Sequence, residues 1–165
     1  MKVNEIATLF DYDCWATEKV MKETVNLSTE QLKAQTECSH GSLKGTIVHI
    51  ISAEWIWRQR CQYGISPDNF IDENLFPNFE ALSMLLLEEQ FEMRKYLSTL
   101  SKSDLQSTIE YKTTTGAGYK NFLWHILVQL FNHGTHHRSE IAGMLTRYGH
   151  SPGDIDFIFY LRDIK

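Results

Sequence analysis

The sequence holds only three cysteines in 165 residues, Cys14, Cys38 and Cys61. Their odd number, wide spacing and lack of any CxxC pair argue against a disulfide framework and against a thiolate zinc site. Proline is as scarce, at Pro67, Pro77 and Pro152. Because proline interrupts the helical hydrogen-bond ladder, the stretches 1–66 and 78–151 are free to be helical. No apolar run approaches the roughly 18 residues of a membrane helix. The opening MKVNEIATLFDYDCW carries charges throughout, unlike a signal peptide. There is no internal repeat and no low-complexity tract. Clustered basic residues are missing too: sixteen Lys and Arg stand against twenty-one Asp and Glu, for a net charge of −5. Nucleic-acid binding depends on neutralising phosphates, so this composition argues against it. The expectation is a cytoplasmic protein with neither membrane nor nucleic-acid partner.

What is present is a globular core. Apolar residues make up 42% of the chain. A single domain over 1–165 of this length can bury about 70% of the surface its unfolded chain exposes. Ile6, Phe10, Cys14 and Val20/Met21 recur at helical spacing and predict a first helix over 3–22. Ser28 and Gln31 form a capping-box signal for one short turn. Ser42 can cap a second helix to about Tyr63, stopped by Gly64. Residues 64–77 read as a long surface connection. A third helix is predicted from about Asn78 to Leu100, with Phe79, Leu82, Leu85/Leu86, Phe91 and Leu97 inward. Glu88, Glu89 and Glu92 read as a solvated face. TIEYKTTTGAGYK (108–120) suggests a strand or hairpin. A fourth helix is predicted from Lys120 to Tyr148. Four long helices with lengthy connections imply an all-α four-helix bundle.

Seven histidines stand out, four of them between His125 and His137. His133 and His137 lie four apart, so their rings share one helix face, and two such nitrogens can reach one metal ion. His137 aligns with Leu130, Gly134, Ile141 and Met144 and so faces the interior. The rival, His136, aligns with Gln129, Asn132, Glu140 and Gly143, a polar face. The pair His133 and His137 is therefore preferred. A lone HxxxH is weak evidence, and catalytic zinc usually has three protein ligands. His49, in the apolar run IVHIISAEW, must be hydrogen-bonded, neutral or bound to something. His40 and His150 are expected to be solvent-exposed, and His125 to serve packing. Cys14 and Cys61 read as inert core thiols, and Trp55 and Trp57 as packing residues. Glu54 and Glu140 are the nearest carboxylates by helical spacing, both expected at the surface or outside the ligand set. No phosphate loop and no GxSxG element occurs.

These segments resemble the DinB family of small bacterial helical proteins along nearly the whole chain. FDYDCWATEKVM is similar to its first helix, with Tyr12 and Trp15 in place, although Ala16-Thr17 stands where Ala-Asn is frequent. LKGTIVHIISAEWIW resembles the helix that carries one metal histidine, at His49. NHGTHHRSEIAGML matches the family's His-x-x-x-His motif followed by Arg, with His133 and His137 at ligand positions and His136 and Arg138 outside the ligand set. The tail, with Asp156 and Tyr160, resembles the closing segment. The resemblance implies an up-down-down-up four-helix bundle, usually homodimeric, with a divalent metal (zinc, nickel or iron) on His49, His133 and His137. It also implies an enzyme on a small-molecule substrate, such as an S-transferase using a bacterial low-molecular-weight thiol like bacillithiol, while a metal with an open coordination position could equally present hydroxide and make the protein a hydrolase. A non-catalytic metal-binding stress or interaction protein is the alternative.

Overall fold

The computed structural model describes residues 1–164. Helix α1 spans Val3–Thr24 and opens where the Glu5 carboxylate accepts the Lys2 backbone N–H at 2.8 Å. The short α2, Thr29–Lys33, carries the Ser28/Gln31 capping box its sequence announces. Helix α3, Leu43–Arg58, starts where Ser42 Oγ accepts the Gly45 N–H at 2.9 Å. It continues into a π-helical turn, Gln59–Tyr63, which Gly64 ends at φ 69°. The next connection contains one 3₁₀ turn, Glu73–Leu75. Asn78 caps α4, Phe79–Ser98, and a single turn, α5, comes after it at Lys102–Leu105. Strands β1 (Thr108–Lys112) and β2 (Gly118–Phe122) pair antiparallel, with Tyr111 opposite Tyr119. Helix α6 covers Leu123–Arg147, and α7 covers Phe157–Asp163.

The four long helices α1, α3, α4 and α6 make the bundle. Helix α1 packs on α6 and α4, and α3 packs on the same two. One apolar cluster joins Val20, Leu43, Ile47, Ile51, Leu86 and Leu145, and a second joins Ile6, Phe10, Met93, Leu123 and Leu127. Each fully buried side chain of this kind stabilises the fold by roughly 1.5–3 kcal/mol. A third, smaller cluster seats α7 on α1 through Tyr12, Ala16 and Tyr160, and the Tyr12 hydroxyl donates to the Ile155 carbonyl at 3.0 Å.

Between the two large clusters, every long helix carries a buried polar residue at about the same level. These are Asp13 on α1, Glu54 and Arg58 on α3, Glu89 on α4 and Arg138 on α6. The Arg138 guanidinium donates to Asp13 at 2.5 Å, and Arg58 makes a two-pronged pair with Glu89 at 2.6 Å and 2.6 Å. Pairing of this kind offsets much of what a charge loses when it leaves water. This belt corrects the reading of Glu89 as solvated: it is 4% exposed, because Arg58 reaches it from the facing helix. Phe91, expected inside, is exposed, since that place on the inward stripe of α4 falls to Glu89 and Met93. Helix α6 begins at Leu123 rather than Lys120, because residues 118–122 complete the hairpin ladder.

Candidate metal centre

The histidines enter the bundle at the same polar belt. His49 lies on α3, and His133 and His137 lie one turn apart on α6. Across the α3–α6 contact, His49 Nε2 stands 3.1 Å from His133 Nε2, and His137 Nε2 stands 3.1 Å from that same atom. The expected pair therefore meets the expected distant partner. His136 is exposed, as is His125, which lies against Phe122 and Trp124.

Glu140 accepts a hydrogen bond from His137 Nδ1 at 2.8 Å and a second from Ser39 Oγ at 3.0 Å. A carboxylate only accepts, so His137 Nδ1 carries the proton, and in the neutral ring Nε2 is left with its lone pair. Carboxylate contacts of this kind orient histidine ligands around metals. Those two contacts hold the Glu140 carboxyl below its ordinary range against the opposing effect of burial. Glu54, by contrast, is fully buried, and burial pushes its carboxyl well above the ordinary range, with Asp13 and Glu89 adding to the effect. This interior position departs from the expectation of a surface residue. Its Oε1 has no hydrogen-bond partner, and a cavity of about 10 Å³ separates it and Asp13 from His133.

His40 also departs from expectation. It is half-buried, and its ring stacks on His49 with centroids 3.6 Å apart and planes 18° apart. One nitrogen each from His40, His49 and His137 lie within 4.8 Å of one another. His40 reaches this place because Gly45, in the first turn of α3, has no side chain: a Cβ there would stand 2.4 Å from the His40 carbonyl oxygen. Spacing could not have revealed this; an isolated glycine just inside a capped helix was the available signal. His150 is half-buried near Glu23, outside the cluster.

The donor set fits a metal ion. His133 Nε2 faces two other imidazole nitrogens at 3.1 Å, yet it can hold at most one proton, which cannot point along both directions. At most one of the contacts is a well-directed hydrogen bond, and a cation among the three lone pairs resolves the other. Tetrahedral ligation at about 2.0–2.1 Å separates ligand nitrogens by about 3.3 Å, close to the spacing seen. Burial and neighbouring rings push His49 down to about 3 and His133 down to about 4, so both are neutral and free to ligate near pH 7.

A four-helix bundle whose buried polar belt presents histidines at metal-binding distance defines the class of this protein. The chain belongs to the DinB family, which it matches over residues 1–164. It is 22% identical to protein DinB of Bacillus subtilis over 157 residues, covering 93% of this chain and 91% of that one. A DinB-like protein from Bacillus cereus superposes with a TM-score of 0.69 at 16% identity, over 93% of this chain and 97% of that one. Bacillus subtilis YfiT, described as a probable metal-dependent hydrolase with an unusual four-helix bundle topology, superposes with a TM-score of 0.65 at 16% identity, over 88% and 86%. At these identities the structural likeness establishes the fold.

Proposed function

We propose that His49, His133 and His137 hold one divalent metal ion, and that the protein is a metal-dependent enzyme acting on a small molecule. The observation that carries this reading is the double 3.1 Å approach to His133 Nε2, which hydrogen bonding alone leaves half satisfied. His133, rather than His40, completes the set. An imidazole ligates along its own plane, and the nearly parallel His40 and His49 planes, 3.6 Å apart at their centroids, share no point within bonding reach. The planes of His49, His133 and His137 are inclined by 55° to 78°, and the Nε2 atoms of His49 and His137 each stand 3.1 Å from His133 Nε2, which supports a shared ion on these three.

A divalent ion held by three neutral imidazoles would act as a Lewis acid and make a water or thiol beside it more acidic. The chain's own residues supply the rest. Glu140 keeps the proton on His137 Nδ1, and Ser39 steadies Glu140. A cleft of about 370 Å³ borders His49 and His133 and gives a small molecule access. It falls in the size range of small-ligand sites. A larger concavity of about 640 Å³ lies outside the hairpin and has no histidine in its wall.

Hydrolysis is the simpler reading, because YfiT is so described and water needs no further partner. If the reaction is an S-transfer, a low-molecular-weight co-substrate would supply the thiol in place of Cys14 or Cys61. Burial pushes the Cys14 thiol up, and Cys61 up to about 12, so neither is a nucleophile. The test is metal analysis of protein purified without a metal column, and then ester-hydrolysis and thiol-conjugation assays on the cobalt- and zinc-loaded forms. One ion per chain is expected, lost in H133A and retained in H40A. One ion per chain in H133A overturns the ligand set, and metal without turnover in either assay overturns the enzyme reading.

A further inference from the structure

The wall of the cleft also contains Arg60, eleven residues beyond His49 on the π-helical turn that ends α3. The extra residue in a π turn rotates the side chains beyond it relative to a regular helix, and such turns recur at functional sites. Arg60 is 6% exposed, yet among the described residues no carboxylate lies within ion-pair distance and no hydrogen bond reaches it. Every other deeply buried arginine of the described residues is paired, Arg58 with Glu89 and Arg138 with Asp13. Arg60 has only aromatic rings: its guanidinium lies 4.7 Å from the Trp57 ring centre and 5.3 Å from that of Tyr111. Such contacts contribute about 0.5–2 kcal/mol and supply no hydrogen-bond acceptor in the plane of the guanidinium. Its unpartnered Nε is fully shielded from solvent. Tyr111 and Tyr119 come from the β hairpin, and Phe70 comes from the long connection and lies against His49 at 5.2 Å.

We infer that Arg60 is the anion-recognising residue of this cleft, and that the cleft takes a small aromatic or planar compound bearing a carboxylate or phosphate. The anion occupies the guanidinium, the flat body lies among Trp57, Tyr111, Tyr119 and Phe70, and the far end of the compound meets His49 and His133. A planar fork with no partner of its own suits an oxyanion, and arginine is the residue that recognises carboxylate and phosphate in pairs of hydrogen bonds. The inference deepens the metal-centre reading and rests on it only in treating this cleft as the substrate's. The free guanidinium and its aromatic walls are observed independently of any ion.

The test compares benzoate and phenyl phosphate with benzamide, a neutral compound of benzoate's shape, by titration calorimetry. It uses chelator-stripped protein, so that no carboxylate gains by ligating a metal. Both anions should bind about tenfold or more tighter than benzamide, in line with charge-assisted hydrogen bonding. A preference for one anion over the other tells the carboxylate source from the phosphate source. R60M should abolish the preference while leaving benzamide binding within about twofold, and R60K should keep only part of it. Equal binding of benzoate and benzamide by the wild-type chain, or a preference that survives in R60M, overturns the inference. If R60M does not fold, the NMR footprint of benzoate on the wild-type protein decides. Shifts of the Arg60 Nε–H and Trp57 Nε1–H resonances support the site, and a footprint elsewhere overturns it. Anion preference without metal retention would remove the metal reading and leave Arg60 standing, and metal retention without anion preference would do the reverse.

Discussion

His137 shows how one carboxylate sets up a ligand. With Glu140 on Nδ1, the ring keeps its Nε2 lone pair turned toward His133. Removing such a partner typically lowers metal affinity by about ten- to a hundredfold. E140A should therefore show a weakening of that order in chelator competition, with stoichiometry still one per chain. An unchanged affinity would reduce Glu140 to a surface contact. The same residues predict a pH dependence in the metal-free protein. His49 and His133 are pushed to about 3 and about 4, whereas an unfolded histidine titrates near 6.5. The unfolded state thus binds more protons below about pH 6.5, and stability contributed by these neutral rings falls as the pH drops from there toward 4. Glu54 has the opposite sign, since its raised carboxyl destabilises as pH rises above the ordinary glutamate range. Urea midpoints of wild type minus those of H49Q/H133Q isolate the histidine part: the difference should be flat above pH 6.5 and decline below it. Of the site's residues, His133 and His137 could be read from their four-residue spacing and from the place of His137 on an apolar stripe, whereas His49 stood out in an apolar run and joined that pair mainly through the family resemblance. His40, Glu54 and Glu89 could not. Their surroundings are made by side chains on other elements, which no spacing along their own element encodes.

At the scale of elements, boundaries were legible wherever a side chain ends a helix. Ser42, Asn78 and Ser28 each accept a backbone N–H in the first turn, and Gly64 takes the left-handed conformation at the end of the π turn. The start of α6 was not legible, because Phe122 offers no capping oxygen and the strand runs straight into the helix. Nor was the π turn, which periodicity reads as ordinary helix. The close approach of the 36–42 segment to α3 depends on Gly45, where an added methyl would meet the His40 carbonyl oxygen at 2.4 Å and a flexible Glu73 oxygen at 3.2 Å. The backbone contact cannot be relieved by a rotamer change. G45A should therefore lift the segment, separating His40 from His49 and Ser39 from Glu140. Alanine is the better helix former by about 1 kcal/mol, so the helix itself should not suffer. The expected readout is loss of ring-stacking cross-peaks between His40 and His49, with weaker metal retention and intact helical circular dichroism. A retained stack in G45A would show that the segment is held by something other than this fit.

For the molecule as a whole, hydrophobic spacing told which face of each helix is buried but not which helices are neighbours. That α1 and α3 both pack on α6 and α4 depends on long-range matching of the polar belt, where Asp13 finds Arg138 and Arg58 finds Glu89. Helix α6 carries both the arginine that holds α1 and the histidines that face α3. An ion on His49, His133 and His137 would therefore join parts of the chain 84 residues apart across the α3–α6 contact. The unfolded chain offers no such converged set, so metal at a hundred times its dissociation constant should stabilise the fold by about 2.7 kcal/mol. For a domain of this size each kilocalorie raises the melting temperature by about 2–4 °C, which predicts a rise of about 5–11 °C on adding zinc or cobalt to stripped protein. H133A should melt at the same temperature with and without metal, while H40A should keep most of the rise, because His40 covers the site by stacking on His49 without ligating. A rise of the same size in H133A would mean that the ion binds elsewhere, and equal loss in H40A would make His40 a ligand in its own right.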